Sequence, residues 1–497
     1  MANRRARPRR ALCTQPCLRA ADIHYSGGSN EPPHRILGTA PVGGRAVRRA
    51  DRARRGLRPE RQDAIGARAG AGSPRGRAGA AGAAAAVLAA TAAGPDRAGA
   101  ERGRRREVEP GRASGVAGRQ GADPGDHDHP GAAPGTTFKV GGFIKADFLA
   151  TRTGDGQLAD DATGRALYLP GQTPVGGGKS GTDYNAHAKF SRINFGVDSV
   201  SDAGNKAGAL VELDFFGNAL GTQTATNTYG ATLRHAYMYW NHWLAGQTWS
   251  NFMDPAALPE AADFIGPTDG VIFVRQAQLR YTNGGFSVAL ENPETTVYNR
   301  SASGVITSAS SDRGALPDLT VRYGWKGDWG SFGIGGLLGQ LKVDNRATGA
   351  DASKAAGGLT LGGKWVAGDS DSLFYQLSGG EGIGRYVGLG IAQDAVYDAA
   401  DRDLDTVGVV AGYIGWRHAF SPKLRTNLIY ARSDYDNDTA LTGLGVTKSV
   451  QSIRGNLFYT PLPKVDVGAE LMVGKREIES GAKGDITRLQ FTTKYSF

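Results

Sequence analysis

The sequence predicts an all-β chain: a transmembrane antiparallel β-barrel of about 16 strands over residues 136–497, behind a disordered N-terminal extension. Three observations predict it. From Thr137 to Phe497 the chain reads as sixteen short segments alternating apolar and polar residues, the period of a strand with two unlike faces. The connectors alternate between short and long, as tight turns on one rim of a membrane barrel and elaborated loops on the other require. The polar faces carry charges on nearly every strand, which a dry core does not accommodate.

The first segment sets the pattern. Phe138, Val140, Ile144, Ala146 and Phe148 share one face, and Lys139, Lys145 and Asp147 the other. Lys206–Phe215 repeats it, with Ala207, Ala209, Val211, Leu213 and Phe215 opposing Lys206, Glu212 and Asp214. Further on, Leu319, Val321, Tyr323 and Trp325 oppose Thr320, Arg322 and Lys326, and Val465, Val467, Ala469, Leu471 and Val473 oppose Asp466 and Glu470. The roomy connectors are 154–184, 217–229, 250–270, 292–316, 341–355, 381–404, 434–446 and 477–484. Tight ones include Asn283-Gly284-Gly285, Gly327-Asp328, Gly368-Asp369-Ser370 and Pro461-Leu462-Pro463. Turning the charged rows toward a water-filled lumen and the apolar rows toward lipid removes the burial conflict. Closure leaves no edge strand unpaired in hydrocarbon. Tyr239, Trp240, Trp243, Trp249, Trp329, Trp416 and Tyr459 lie near strand ends, where rings meet headgroups.

Composition divides the chain near residue 136. Residues 1–135 hold 25 Arg, no Lys, 12 acids, one aromatic (Tyr25) and both cysteines, Cys13 and Cys17; residues 136–497 hold 33 basic and 36 acidic residues. The formal +10 is therefore +13 from the front and −3 from the rest. Residues 1–135 are Arg/Ala/Gly-rich and aperiodic, so the expectation is a disordered segment or a mis-translated one, read out of frame from GC-rich DNA. Met1 leads into arginines without the apolar run of a signal peptide, which export of a barrel requires. The near-neutral remainder gives no reason to expect a nucleic-acid partner. No run of some 20 apolar residues offers a helical span.

The last segment ends the pattern on an aromatic. Leu489, Phe491, Tyr495 and Phe497 alternate with Arg488, Gln490, Thr492 and Lys494. Such an ending resembles the assembly signal that barrel-insertion machinery reads, here Phe491, Tyr495 and Phe497. Two longer motifs, Val140-Gly141-Gly142-Phe143-Ile144-Lys145-Ala146-Asp147 and Gly246-Gln247-Thr248-Trp249-Ser250-Asn251-Phe252-Met253-Asp254, carry a family likeness. With Ser191-Arg192-Ile193-Asn194-Phe195-Gly196 and Leu233-Arg234-His235-Ala236-Tyr237 they resemble the DcaP-like trimeric outer-membrane porins. The resemblance covers 136–497. It implies a homotrimer of sixteen-stranded barrels in the outer membrane of a Gram-negative bacterium, with a preference for dicarboxylates and other small anions.

Basic residues at lumen parity on different strands form the candidate pore lining: Arg192, Arg234, Arg280, Arg322, Lys364, Arg425 and Arg454. A ladder of guanidiniums offers carboxylates two-point contacts and an anion a favourable path. Asp147, Asp198, Glu212, Asp214 and Glu470 are available to balance them. Parity leaves Arg275, Arg417 and Arg432 open. Residues 250–270, with Asp254, Glu260, Asp263 and Asp269, are expected to fold inward as a constriction loop, because Ala256, Ala257, Leu258, Phe264 and Ile265 need burial. Gly178-Lys179-Ser180 lacks the preceding glycine and the strand–loop–helix setting of a phosphate loop. His187, His235, His242 and His418 show no metal-ligand spacing. A passive diffusion channel for small hydrophilic solutes, with no cofactor, metal or catalysis, is the reading; a barrel lipase or protease and an adhesin or structural barrel are the alternatives.

Overall fold

The computed structural model describes residues 135–222, 228–300, 306–311, 313–314, 316–345, 350–398 and 400–497. The disorder expected of 1–135 concerns residues that, Gly135 aside, lie outside these. Twenty-one strands follow. They are β1 (Thr136–Thr153), β2 (Gly181–His187), β3 (Arg192–Val200), β4 (Lys206–Thr222), β5 (Thr228–Trp240), β6 (Trp243–Trp249) and β7 (Arg275–Asn283). Next come β8 (Phe286–Glu291), β9 (Thr295–Arg300), β10 (Ile306–Ser311), β11 (Asp318–Gly327), β12 (Gly330–Asn345), β13 (Ala350–Ala367) and β14 (Asp371–Glu381). The last are β15 (Ala395–Asp398), β16 (Asp403–Thr406), β17 (Gly408–Ser421), β18 (Leu424–Asp436), β19 (Thr447–Leu462), β20 (Val465–Ile478) and β21 (Lys483–Ser496).

Seventeen of these form one antiparallel sheet that closes when β21 pairs with β1, from Phe143–Ser496 to Thr153–Ile486. β2 and β3 both pair with β1 and share one position in the wall, so the barrel has sixteen staves. Outward positions are greasy: Ile144, Phe148, Val211, Leu338, Leu359, Leu377, Val410 and Phe491 are all exposed on the isolated chain. Inward positions are polar and covered, among them Asp147, Asn427, Asn456, Glu470 and Gln490. Lipid outside and polar groups inside is the arrangement the alternation dictates.

Two local irregularities shape the lumen. Between β2 and β3 the chain breaks the ladder at residues 188–191. Ser191 Oγ accepts the Lys145 N–H at 3.0 Å and donates to the Lys145 carbonyl at 3.2 Å, replacing ladder bonds with a side chain. The break turns Phe190 inward, where it is fully buried. In β5 the register slips: His235 faces Glu212 and Leu233 faces Leu213, leaving Arg234 as an extra residue. A bulge of this kind sends two successive side chains to one face.

Two connectors are shorter than the sequence suggests. β4 runs to Thr222 and β5 starts at Thr228, inside the span read as loop 217–229. Likewise β12 and β13 continue to Asn345 and from Ala350. The extension of β12–β13 has a packing reason. Leu341, Val343, Ala350, Ala352 and Ala356 bury against Val297, Ala395 and Leu404. Those three belong to a second, four-stranded sheet, β10-β9-β15-β16, built from connectors 292–316 and 381–404 through a parallel β9–β15 pairing. A pairing between two distant connectors leaves no mark on the periodicity of either.

Candidate functional site

The connector after β6 defines the interior. It runs along the inner wall as a collar. Asn251 lies over β8 and β11, bonding Ser287 and the Thr320 carbonyl. Asp254 pairs with Arg322 on β11, and its carboxylate also caps the short turn Pro255–Ala257. The Ala257 carbonyl accepts from Tyr413 OH on β17 at 3.0 Å. Glu260 takes two bonds from Arg425 on β18, at 2.7 and 2.6 Å. Ala262 donates to Glu470 on β20, and its carbonyl receives Gln490 on β21 and Lys145 on β1. Phe264 then stacks on Phe190 with centroids 4.5 Å apart, and meets Phe216 at 5.8 Å. The return half presses on the far wall: a side chain at Gly270 would collide with the Gly412 carbonyl of β17. Ile272 bridges to Val387 in the connector that carries β15 and β16.

The collar's four acids are all engaged. Asp263 accepts the Tyr168 N–H at 2.9 Å and lies 4.0 Å from Arg488. Asp269 accepts from Tyr168 OH at 2.8 Å and from Ser452. Burial lifts the Asp269 carboxyl to about 6, against the opposing pull of Ser452, Arg454 and Tyr168. Burial likewise raises the Tyr168 phenol well above its usual range.

The seven basic residues divide by partner. Arg425 and Arg322 clamp the collar. Arg454 is buried, 3.2 Å from Glu470 and 5.5 Å from the Tyr168 ring. Arg234 is buried and holds Glu212 and Asp214, each at 2.9 Å. Arg192 reaches Glu212 only at 3.6 Å and lies 5.0 Å from the Phe143 ring. Arg280 bonds Gln278 at 2.8 Å and the Trp249 carbonyl, and no acid among the described residues. Lys364 lies over the Phe374 ring at 5.4 Å, with no ion pair among the described residues.

Three groups lie outside the pore lining read from the sequence. Arg275 packs on the Trp249 ring at 5.0 Å, within electrostatic reach of Arg234 and Arg192. His235 faces Glu212 beside Arg234 because of the bulge; parity alone assigns neighbours to opposite faces. Arg488 sits buried under the collar, bonded to Thr151 at 2.9 Å, and its place in the terminal alternation was the available signal. Arg192 Nε and Arg275 Nη1 are buried with no hydrogen-bond partner among the described residues.

A closed sixteen-stave barrel, greasy outside and ionised inside, with a loop folded along its inner wall, is the architecture of an outer-membrane channel. The family model for the DcaP outer membrane protein matches residues 122–497, and the chain belongs to that family. Among solved structures it is similar to the outer membrane channel DcaP of Acinetobacter baumannii. The two are 25% identical with a TM-score of 0.59, over 74% of this chain and 99% of that one. Lesser likeness extends to OmpT of Vibrio cholerae (12% identity, TM-score 0.44, 74% and 99% covered). An anion-selective porin from Comamonas acidovorans compares similarly (12%, 0.42, 73% and 100%). No curated protein sequence matches the chain. The protein is a channel of the Gram-negative outer membrane and not an enzyme.

Proposed function

We propose that the lumen passes small hydrophilic solutes by passive diffusion, favours anions such as dicarboxylates, and works as a homotrimer. The observation that supports anion preference is the arc of wall from β3 to β7, away from the collar's path over β8 to β1. Arg192, Arg234, Arg275 and Arg280 lie there against Glu212 and Asp214, while a third carboxylate of the arc, Asp198, pairs with Lys139 of β1. Arg234 bonds both acids, and four cations against these two carboxylates leave two surplus positive charges shared among Arg192, Arg275 and Arg280. Buried N–H groups without acceptors on two of them suit a solute carboxylate. Distributed, incompletely matched cations hold an anion weakly enough to release it. Asp254, Glu260, Asp263 and Asp269 set the collar's position and thereby the constriction; Arg322 and Arg425 hold it to the wall, Arg454 is buried with Glu470, and Lys364 lies on the rest of the wall.

Planar-bilayer recording tests this. Stepwise conductance with an anion-favouring reversal potential is expected, with current reduced by succinate. Arg192→Glu combined with Arg280→Glu should move the reversal potential toward cations. An unchanged reversal potential in that double variant would remove these residues from the selectivity of the pore.

A further inference from the structure

The two ends of the collar are tied into one buried polar cluster. At its base the Ser250 N–H donates to the Val274 carbonyl at 2.9 Å. On the leading side the Asn251 N–H donates to Glu291, the last residue of β8, at 2.7 Å. Glu291 also accepts from Thr320 Oγ1 on β11 at 2.7 Å and from Gln276 Nε2 on β7. The trailing side is laddered to the connector after β14. There the Phe273 N–H donates to the Tyr386 carbonyl and the Gly388 N–H to the Val271 carbonyl, each at 2.9 Å.

Arg385 joins the two sides. Its Nη1 donates to Gln276 Oε1 at 2.8 Å, and its Nη2 donates to Asp318 at the start of β11. The Tyr386 hydroxyl donates to Asp318 at 2.7 Å and accepts from Gln276 and from Arg385, each at 3.1 Å. Phe252, the residue after Asn251, meets the Tyr386 ring edge-on with centroids 5.8 Å apart. The backbone N–H of Arg385 donates to Asp394 at 2.8 Å, and Asp394 accepts from Thr296 on β9, so the outer sheet hangs from the same point. Asn251, Gln276, Glu291, Asp318 and Tyr386 are buried, and none of them leaves a buried side-chain atom unpartnered among the described residues. A buried network satisfied in this way is rigid. A planar guanidinium can hold an amide, a carboxylate and a phenol together, which the point charge of a lysine cannot.

We propose that Arg385 is a positioning residue of the pore: through Gln276, Glu291 and Asp318 it fixes where both ends of the collar sit, and with them the width of the constriction. It acts through the collar and not on the solute. The middle of the collar has its own attachments, to Arg322, Arg425 and Glu470, so loss of Arg385 frees the ends while the middle stays on the wall. The inference rests on the reading of the collar as the constriction.

Arg385→Leu, Arg385→Lys, Gln276→Leu and Lys354→Gln in the full chain test this, each refolded in detergent and scored for a folded barrel by heat-modifiable migration. Gln276→Leu cuts the bridge between the two ends without removing a charge, and serves if Arg385→Leu does not fold. Lys354→Gln removes an outer-sheet ion pair outside the cluster, to Asp403 at 3.3 Å. Amide exchange reads local opening of the collar, and single-channel recording reads the pore. Arg385→Leu and Gln276→Leu should speed exchange several-fold at 251–253 and 271–273 but not at 260–262, with several-fold more frequent brief closures. Arg385→Lys should fall between them and the parent, and Lys354→Gln should change neither readout. Folded variants whose collar ends do not loosen overturn the positioning role and leave the constriction reading intact. Ends that loosen under an unchanged current overturn the constriction reading, and the role of Arg385 in the pore with it. Equal effects from Lys354→Gln would reduce Arg385 to a general brace of the outer connectors and also overturn the proposal.

Discussion

Arg234 and Arg192 look alike in the sequence, two arginines on lumen faces of staves with β4 between them, yet the structure gives them different work. Arg234 is 2% exposed and fixed between Glu212 and Asp214; Arg192 comes only within 3.6 Å of Glu212 and keeps 22% of its side chain open. Removing one member of a buried ion cluster leaves charge unpaired and costs about 3–5 kcal/mol, whereas a partly open pair is worth at most about 1 kcal/mol. Arg234→Gln should therefore lower the thermal unfolding midpoint in detergent far more than Arg192→Gln. Arg192→Gln should instead weaken anion preference. Equal losses of stability would contradict the division between strut and lining. Parity made the inward aim of both residues legible. The pairing was not legible, because it depends on a one-residue bulge that no local signal near Arg234-His235 announces.

At the scale of the element, the collar is held by bonds that titrate. Asp269 is raised to about 6 by burial, and so is Asp394, which accepts from Thr296 and from the Arg385 N–H and joins the two connectors of the outer sheet. A carboxyl raised in the folded state contributes stability fully below its unfolded value of 3.8, and that contribution fades as pH rises through about 6. For a rise of about two units the upper bound is about 3 kcal/mol per group. Collar and outer sheet should hold more firmly at pH 4.5 than at pH 7.5, seen as slower amide exchange across 260–272 and 294–298. Asp269→Asn should flatten the dependence in the first segment and Asp394→Asn in the second. Faster exchange at the acid pH, after correction for intrinsic rates, would contradict the sign. The apolar residues of 250–270 were enough to demand burial from sequence. The path along the wall was not, since it is fixed by Phe190 in the β2–β3 break and by the bare backbone of Gly412, features of other elements.

At the scale of the whole molecule, sixteen staves were legible because lipid and water impose a strict alternation that composition alone does not blur. The interrupted stave was harder to see: Ser191 supplies by side chain what the ladder omits, so the segments around it still read as strands. Closure raises the last question. Phe497 donates its N–H to the Gly142 carbonyl at 3.1 Å and leaves its ring, with those of Phe491 and Tyr495, exposed on the outer face. β21 meets β1 over eleven paired positions, so one terminal bond is a small part of the seam, about 1 kcal/mol. A purely structural Phe497 predicts equal, slight effects of Phe497→Ala in detergent refolding and in cells. A residue read by the insertion machinery predicts near-normal refolding in detergent but a several-fold loss of folded barrel in cells, scored by heat-modifiable migration. We expect the second outcome, because the aromatic ring makes little use of its own fold; matched small losses in both settings would leave Phe497 a seam residue only.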